Sequence, residues 1–344
     1  MKKQILFSVL AIVATTSVFG QMKLGSAPQP LTCTTANALN PIAGISYTYP
    51  ATVTNGGTFQ WWATTDVNFI TAGTNNSSTK LLVGRDKAII EASSNYGVAG
   101  SALNSVDVKW SNATLNAAKT VPTFVVVQND ATSPNCANNL KVYKINPING
   151  FTIDIKNMTQ AKVTQAYGSS VAFCVSNIAS ATYDPATSSV VTNYGTNIMY
   201  FEVVAANVTD GYIPRFQVAD LEPGQSVTSL ELFTDAAFAT TAIATTLSSG
   251  VYSPAAAIEV DPTVTNYAAG VSLYVKLTIN NGTYENLTDN TITLKVDGTN
   301  IAGDKDVDNT DCSVITEFGD VASQILTKRP TIVAPVTGQT FVTP

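Results

Sequence analysis

Gly-Ile-Ser-Tyr-Thr-Tyr-Pro-Ala-Thr-Val-Thr-Asn-Gly-Gly-Thr-Phe-Gln-Trp-Trp-Ala-Thr, residues 44–64, is the stretch that decides the fold. Apolar and polar residues alternate at both ends of it, so that Tyr47 and Tyr49 share one face of a strand and Phe59 and Trp61 share one face of the next. Such alternation is typical of a half-buried β-strand. Asn-Gly-Gly between two alternating runs is a strong turn signal, so the sequence predicts a β-hairpin here.

The same alternation recurs along most of the chain. Many short strands with turn residues between them predict an all-β fold of two tandem antiparallel β-sandwich domains. Only residues 235–247, which are rich in Ala and Thr, suggest a helix. The further strands are predicted at 80–83, 88–92, 105–110, 123–128, 140–145, 151–155, 170–176, 198–205, 215–218, 226–233, 257–260, 271–279 and 291–296.

The first twenty residues predict export. Lys2 and Lys3 precede an apolar run, and Val18 and Gly20 stand at the small-residue positions before Gln21, as in a secretory signal peptide. No later run approaches the roughly 20 apolar residues of a membrane span. We therefore expect a protein of the periplasm, cell surface or extracellular space. Its expected parts are a signal peptide (1–20), an N-terminal extension (21–36), a first β-sandwich (37–147), a second β-sandwich (148–326) and a tail (327–344).

Composition excludes several functions. Charged residues make up 12% of the chain, about half the usual share. The formal charge of −6 becomes −8 when Lys2 and Lys3 are removed, which argues against nucleic-acid binding. The chain has no histidine, so Ser-His-Asp and Cys-His catalysis and His-containing zinc sites are impossible. Glutamates are scattered without a shared motif, and we therefore predict that the protein is not an enzyme.

The four cysteines predict two disulfides. An even number of cysteines in an exported chain is typical of disulfide pairing, and three pairings are possible. We favour Cys33–Cys136 with Cys174–Cys312, because each bond then closes one predicted domain. Each would stabilise the fold by about 4–5 kcal/mol in the chain-entropy account. A four-cysteine zinc site is disfavoured because no closely spaced cysteine pair exists.

Five segments of the first domain resemble the PKD-like, immunoglobulin-type domains of secreted proteins from Bacteroidota. The resemblance implies that Trp61 is the buried core tryptophan and that Trp110 ends a strand in the middle of the domain. The second domain, from residues 139–158 onward, resembles uncharacterised envelope proteins of the same phylum, to which no activity attaches. The segments are Tyr47-Thr-Tyr, Gly57-Thr-Phe-Gln-Trp, Val106-Asp-Val-Lys-Trp, Thr123-Phe-Val-Val-Val, and Cys136 followed by Leu140-Lys-Val-Tyr.

An acidic loop at residues 297–311 is the candidate metal site. Asp304, Asp306, Asp308 and Asp311 place carboxylates close together, and carboxylates are the ligands that Ca²⁺ prefers. The loop does not follow the EF-hand pattern, because it lacks the glycine and the final glutamate of that pattern at the required spacing. The alternative is a solvated turn. No other cofactor is predicted.

Paired aromatic residues form the candidate binding site. Strand alternation turns Trp61 inward and Trp62 outward. An outward Trp62, together with Tyr47, Tyr49 and Trp110, would stack on a sugar ring or on a partner protein. The alternative is that Trp62 packs beneath the insert at residues 65–98.

These observations predict a non-catalytic structural or adhesion protein of the cell envelope or cell surface. Its expected partners are other envelope or surface proteins, or glycans. The alternative is a carbohydrate-binding module that uses the exposed aromatic residues. Self-assembly is a further expectation, because residues 331–334 and 340–343 of the tail have the pattern of strands that add to a neighbour's sheet edge. The alternative for the tail is docking on the protein's own second domain.

Overall fold

The structure is a computed structural model that describes residues 36–53, 56–67, 69, 89–98, 100–130, 138–260, 269–308 and 312–332. Strands make up 52% of it and helices 3%, so the predicted all-β class is confirmed. Buried apolar side chains form two large clusters with no residue in common, one within residues 43–145 and one within residues 151–326. We refer to the corresponding parts as the N-terminal and C-terminal sandwiches.

The N-terminal sandwich consists of two three-stranded antiparallel sheets. One has the order β1-β4-β3 and the other β2-β5-β6, and a short helix follows β4. The elements are β1 (Ser46–Pro50), β2 (Thr58–Thr64), β3 (Ile89–Ala92), β4 (Ser105–Trp110), α1 (Asn112–Ala118), β5 (Thr123–Asp130) and β6 (Asn138–Ile145).

The hairpin predicted from residues 44–64 is wrong. Its two strands exist, but β1 pairs with β4 and β2 pairs with β5, so they lie in opposing sheets. Each carries a buried apolar face, with Tyr49 on β1 and Trp61 on β2, and the two faces pack against each other across the core. This packing removes both apolar faces from water, and apolar burial contributes about 25 cal/mol per Å². Gly57 is required there, because its φ is +123° and a Cβ would lie 2.5 Å from the carbonyl oxygen of Asp130.

The core of this sandwich is aromatic. Trp61, Trp110 and Tyr49 are fully buried, and Trp110 is the last residue of β4. The expectations for Trp61 and Trp110 are therefore confirmed.

The remaining thirteen strands of the described residues belong to the C-terminal part, eleven of them in the sandwich and two, β9 and β10, in a separate two-stranded sheet. They are β7 (Thr152–Met158), β8 (Val171–Cys174), β9 (Ser180–Asp184), β10 (Ser189–Asn193), β11 (Thr196–Ala206), β12 (Gly211–Ala219), β13 (Ser226–Phe233), β14 (Ile243–Ser248), β15 (Val251–Pro254), β16 (Ile258–Glu259), β17 (Val271–Asn280), β18 (Asn290–Asn300) and β19 (Asp320–Thr327).

One continuous sheet folds over on itself to make this sandwich. Its order is β7-β11-β17-β13-β14-β15-β12-β18-β19-β8, with β16 beside β12. Strand β14 turns the corner, because residues 243–244 pair with β13 and residues 245–248 pair with β15. All pairs are antiparallel except β8 with β19, which is parallel. Alternate residues of β17 and β18, such as Val275 and Leu294, fill the core between the two halves.

The helix predicted at residues 235–247 is wrong. Residues 235–240 form a turn, and β14 begins at Ile243. The carboxylate of Asp235 accepts the backbone N–H groups of Ala237, Ala239 and Thr240 at 2.8–3.1 Å, which closes the turn. Thr-rich sequence then continues as a strand, since β-branched side chains favour the pleated sheet.

The predicted Cys174–Cys312 disulfide is also wrong. Cys174 is an exposed free thiol at the end of β8, so the C-terminal sandwich is not closed by that bond. Strand β8 pairs its backbone with β19, which leaves the Cys174 side chain facing solvent. Cys33 and Cys136, the other predicted pair, lie outside the described residues.

The predicted tail overlaps the last strand. Thr327 ends β19, and the backbone N–H of Arg329 donates to the carbonyl of Asn286 at 2.8 Å. The guanidinium of Arg329 lies 5.0 Å from the ring centre of Tyr194, so the start of the tail docks on the C-terminal sandwich. Residues 333–344, and with them the second predicted tail strand, lie outside the described residues.

Candidate functional site: the junction and the exposed hairpin

The structure does not place the four predicted aromatic residues on an exposed face. Trp62 is fully buried and packs with Val126, Phe69, Phe124 and Leu140. Phe69 belongs to the insert at residues 65–98, so the insert covers the outward face of β2. The prediction of an exposed Trp62 is therefore wrong, and its alternative, packing beneath the insert, is confirmed.

The other three predicted aromatic residues have structural roles. The indole N–H of Trp110 donates to the hydroxyl of Tyr49 at 3.1 Å, and that hydroxyl donates to the carbonyl of Ala38 at 2.7 Å. Burial raises the pKa of Tyr49. Tyr47 is half-buried, and its hydroxyl accepts the N–H of Ile42 at 3.1 Å. These three aromatic residues therefore pack in or against the core and do not form the predicted binding surface.

The described aspartates of the acidic loop make different contacts. Asp304 forms an ion pair with Lys119 and accepts the side-chain amide of Asn300 at 3.3 Å. Asp306 is turned inward, and the backbone N–H of Asp308 donates to the carbonyl of Val314 at 2.9 Å. Among the residues that the structure describes, no group of three acidic, His or Cys side chains is arranged to hold a metal ion. Asp311 lies outside them.

Asp306 belongs to a buried carboxyl cluster. It is 4% exposed, and its Oδ1 accepts the N–H of Ile153 at 3.0 Å. Burial raises the pKa of Asp306 well above its ordinary value of 3.8, and the carboxyl groups of Asp320 and Asp154 raise it further. Two carboxylates in hydrogen-bond contact cannot both ionise at low cost. Asp306 therefore holds its proton at a higher pH than a solvated carboxyl would.

A buried polar junction joins the two sandwiches. Asn112, the first residue of α1, is 5% exposed and meets Thr209, which is 2% exposed. The side-chain oxygen of Asn112 accepts the backbone N–H of Thr209 at 2.6 Å and its hydroxyl at 2.9 Å. In return, Thr209 Oγ1 accepts the N–H of Asn112 at 2.8 Å, and the Asn112 amide donates to the carbonyl of Asn207 at 3.2 Å. Buried polar groups satisfied in both directions fix one geometry.

Further contacts surround the junction. The N–H of Ala113 donates to Asp210 at 3.1 Å, and the ion pair of Lys119 with Asp304 also crosses from one sandwich to the other. Gly150 packs directly on Ile42 of the N-terminal part, since a Cβ on Gly150 would lie 2.3 Å from that side chain. The acidic loop therefore contributes one side of the junction.

Strands β9 and β10 form a hairpin that stands apart from the sandwich. They pair only with each other. Residues 180–183 of β9 are all exposed, including Tyr183 at 56%, and Val191 on β10 is 55% exposed. At the tip, the Asp184 carboxylate accepts the N–H of Ala186 at 2.9 Å, a bond that lowers the pKa of Asp184 and keeps it ionised.

An amide network anchors the base of this hairpin. Asn281 is fully buried, and its side-chain amide donates to Asn197 at 2.8 Å and to the Ser176 hydroxyl at 3.0 Å. The Ser176 hydroxyl in turn donates to the carbonyl of Tyr194 at 2.7 Å. The backbone N–H of Tyr194 donates to the carbonyl of Gly282 at 2.8 Å. The hairpin thus leaves the sandwich from a fixed base.

Aromatic rings cluster on the outer face of the sheet around Phe238. The ring centre of Phe238 lies 4.8 Å from that of Tyr200, 5.1 Å from Phe233 and 6.0 Å from Tyr274. The ammonium of Lys162 lies 5.1 Å from the centre of Phe238. Phe238 has a φ of +57°, a left-handed conformation that costs a non-glycine residue about 1–3 kcal/mol.

Sequence reasoning missed these features for identifiable reasons. Asn112 lies in a seven-residue helix, which is too short to give a periodic pattern. The local sequence signal for this helix is its N-cap, Ser111, whose side chain accepts the N–H of Thr114. The hairpin at 180–193 does alternate, and Asp184-Pro185 marks a turn, so it was detectable.

Comparisons with known proteins give weak similarities. No protein-family model matches the chain. No curated protein matches it either. Among solved structures, CaCohA2 from Clostridium acetobutylicum is 14% identical, covering 51% of this chain and 91% of its own, with a TM-score of 0.26. A collagen-binding domain from a Staphylococcus aureus adhesin is 7% identical, covering 39% of this chain and 89% of its own, with a TM-score of 0.22. The major pilin SpaD from Corynebacterium diphtheriae is 8% identical, covering 87% of this chain and 61% of its own, with a TM-score of 0.25. At these values the similarities carry no functional argument.

The part of the chain that the structure describes contains no helix long and apolar enough to cross a membrane.

Proposed function

We propose that this chain is a non-catalytic structural or adhesion protein of the cell envelope or cell surface, acting through surface contacts with other proteins. It is exported by the signal peptide at residues 1–20. The single observation that supports this most is the buried junction at Asn112 and Thr209. Its four hydrogen bonds connect the two sandwiches through buried side chains, and two sandwiches held in a fixed orientation would suit a protein that acts by presenting a contact surface.

The chemistry of the ionisable groups supports the same proposal. The buried carboxyls of Asp306 and Asp320 contact each other and the backbone. Asp304 is neutralised by Lys119 across the junction. Arg215 pairs with Asp297 at 3.3 Å. In the two ion pairs the charge holds sandwiches or strands together, since Lys119–Asp304 crosses the junction and Arg215–Asp297 joins β12 to β18.

The proposal is tested in the organism that produces the protein. Surface exposure is measured by trypsin accessibility on intact cells and by recovery in material sheared from them, and attachment is compared between a deletion strain and a complemented strain. We expect a surface-exposed protein whose loss reduces attachment or disrupts a surface structure. A protein that stays protected inside the cell, with attachment and surface structure unchanged, would contradict the proposal.

A second candidate function is glycan binding at the Phe238 cluster. Half-buried rings of Tyr200, Phe238 and Tyr274 next to the Lys162 ammonium offer stacking and hydrogen bonding together. Binding to a polysaccharide panel is compared between wild type, Phe238→Ala and Tyr183→Ala, the last being an exposed aromatic outside the cluster. Binding that Phe238→Ala alone abolishes supports this candidate; an absence of binding by the wild type rejects it.

A further inference from the structure

We infer that the outer edge of β9 is an assembly surface, and that its partner is the edge of β6 in a second copy of this chain. The pairing would extend the sheet β2-β5-β6 by the two strands β9 and β10. This inference deepens the proposed function and rests on it, because it names the partner of a surface contact.

We call the outer edge of β9 the donor edge and the free edge of β6 the acceptor edge. Within the described chain the donor edge is not paired with another strand. Alternate residues of an edge strand direct their N–H and C=O groups away from the neighbouring strand, and no strand of the described chain pairs with the outer side of β9. Two-stranded hairpins are marginally stable alone and gain from a third strand. The amide network around Asn281 and the turn at Asp184 hold this one in place without a third strand.

The donor edge also lacks the usual protection against pairing. Natural sheet edges carry lysine, proline or bulges that prevent association. Residues 176–193 contain no Lys or Arg, and their one proline is Pro185, in the turn. Asp184 is their one charged residue, and it lies at the tip. Small side chains at Ser180 and Ala181 leave room for a close approach.

The acceptor edge is the longest open one of the described residues. Strand β6 has eight residues and pairs on one side only, with β5. Strand β7, the comparable edge of the C-terminal sandwich, is covered, because Gln165 donates its N–H to the carbonyl of Asn157 at 2.8 Å. Strands β3 and β8 have four residues each.

Charge makes the pairing selective. Lys141 and Lys144 are exposed on β6, so two β6 edges repel each other. The hairpin offers only the ionised Asp184 and is attracted instead. Repulsion disfavours the pairing of β6 with β6, and attraction favours the pairing of β6 with β9. Specific interfaces commonly combine repulsion of one partner with attraction of another.

The geometry of the pairing predicts an open assembly. The donor belongs to the C-terminal sandwich and the acceptor to the N-terminal one, so each contact is head to tail. Head-to-tail contacts make rings or filaments rather than closed dimers.

Sedimentation velocity of the purified exported protein over a range of concentrations tests the inference. We expect wild type to associate with increasing concentration, and Thr182→Lys on β9 to weaken association at least tenfold by repulsion from Lys141 and Lys144. Leu247→Lys, which adds the same charge to an exposed position on β14 outside the hairpin, is the matched control and should associate like wild type. Lys144→Glu combined with Thr182→Lys should restore association, and circular dichroism confirms that each variant is folded.

Two results would overturn the inference. The first is a wild type that stays monomeric at every concentration, and the second is association that Thr182→Lys leaves unchanged. Both are distinguishable from failure of the proposed function, because surface exposure and attachment are measured separately on cells.

Discussion

Replacing Asn112 by Ala removes the central contact of the junction and should destabilise the protein by about 2–4 kcal/mol. The side chain of Asn112 takes part in three hydrogen bonds, to the N–H and hydroxyl of Thr209 and to the carbonyl of Asn207. A typical intramolecular hydrogen bond contributes about 0.5–1.5 kcal/mol net, and a buried group left unpaired costs about 1–3 kcal/mol. The variant leaves the Thr209 N–H and the Asn207 carbonyl without these partners.

Urea denaturation followed by tryptophan fluorescence and by far-ultraviolet circular dichroism measures the effect. All three tryptophans lie in the N-terminal sandwich, so fluorescence reports on that sandwich and circular dichroism on both. We expect coincident transitions for the wild type and separated ones for Asn112→Ala. Asn116→Ala on the same helix is the matched control and should change stability by less than about 0.5 kcal/mol, as a surface substitution does. Equal effects of the two substitutions would refute the reasoning.

Three further predictions concern other sites. Asp306→Asn should stabilise the protein at pH 7 and not at pH 4. Because the folded-state pKa of Asp306 is raised, the folded state binds more protons than the unfolded state above about pH 3.8. The stability of the wild type therefore falls with rising pH, by up to about 1.4 kcal/mol per pH unit, and the Asn variant lacks this loss. Melting temperatures of both proteins across pH check this, and parallel curves would contradict it. Cys174 should react with a maleimide without reductant, as mass spectrometry of the labelled peptide will show; an unlabelled Cys174 would mean that it is bonded. Gly150→Ala should cost about 1–3 kcal/mol by overpacking on Ile42, and less in an Ile42→Ala background; equal costs in both backgrounds would show that the contact is not the cause.

The sequence was sufficient for the strands that alternate cleanly. Residues 226–233 are predicted and observed with the same bounds, because Leu230 and Leu232 mark the buried face without interruption. Strand β19 was missed because its inward residues include Ala322 and Gln324, neither of which is a large apolar residue. Gln324 is fully buried and donates to the carbonyl of Tyr200 at 2.8 Å, a role that only the fold reveals.

Pairing between strands was harder to predict than the strands themselves. Asn-Gly-Gly before Thr58 is a local turn signal, whereas the partners of β1 and β2 are set by contacts of Tyr49 and Trp61 across the core. The candidate site failed for a similar reason. Alternation shows which face of β2 Trp62 is on, but whether that face is exposed depends on Phe69 of the insert.

The distance between the two sandwiches tests the central claim most directly. Cys174 supplies an exposed native thiol in the C-terminal sandwich, and Leu103→Cys supplies one in the N-terminal sandwich, where Leu103 is 54% exposed. With Cys174 unpaired, three cysteines remain and at most two of them can be bonded, so the cysteine that mass spectrometry finds unpaired is first replaced by Ser. Nitroxide labels at the two positions then allow the distance distribution to be measured by double electron–electron resonance. A rigid junction predicts one narrow distribution that Asn112→Ala broadens. A broad distribution in the otherwise wild-type protein would contradict the claim that the junction holds the two sandwiches as one unit.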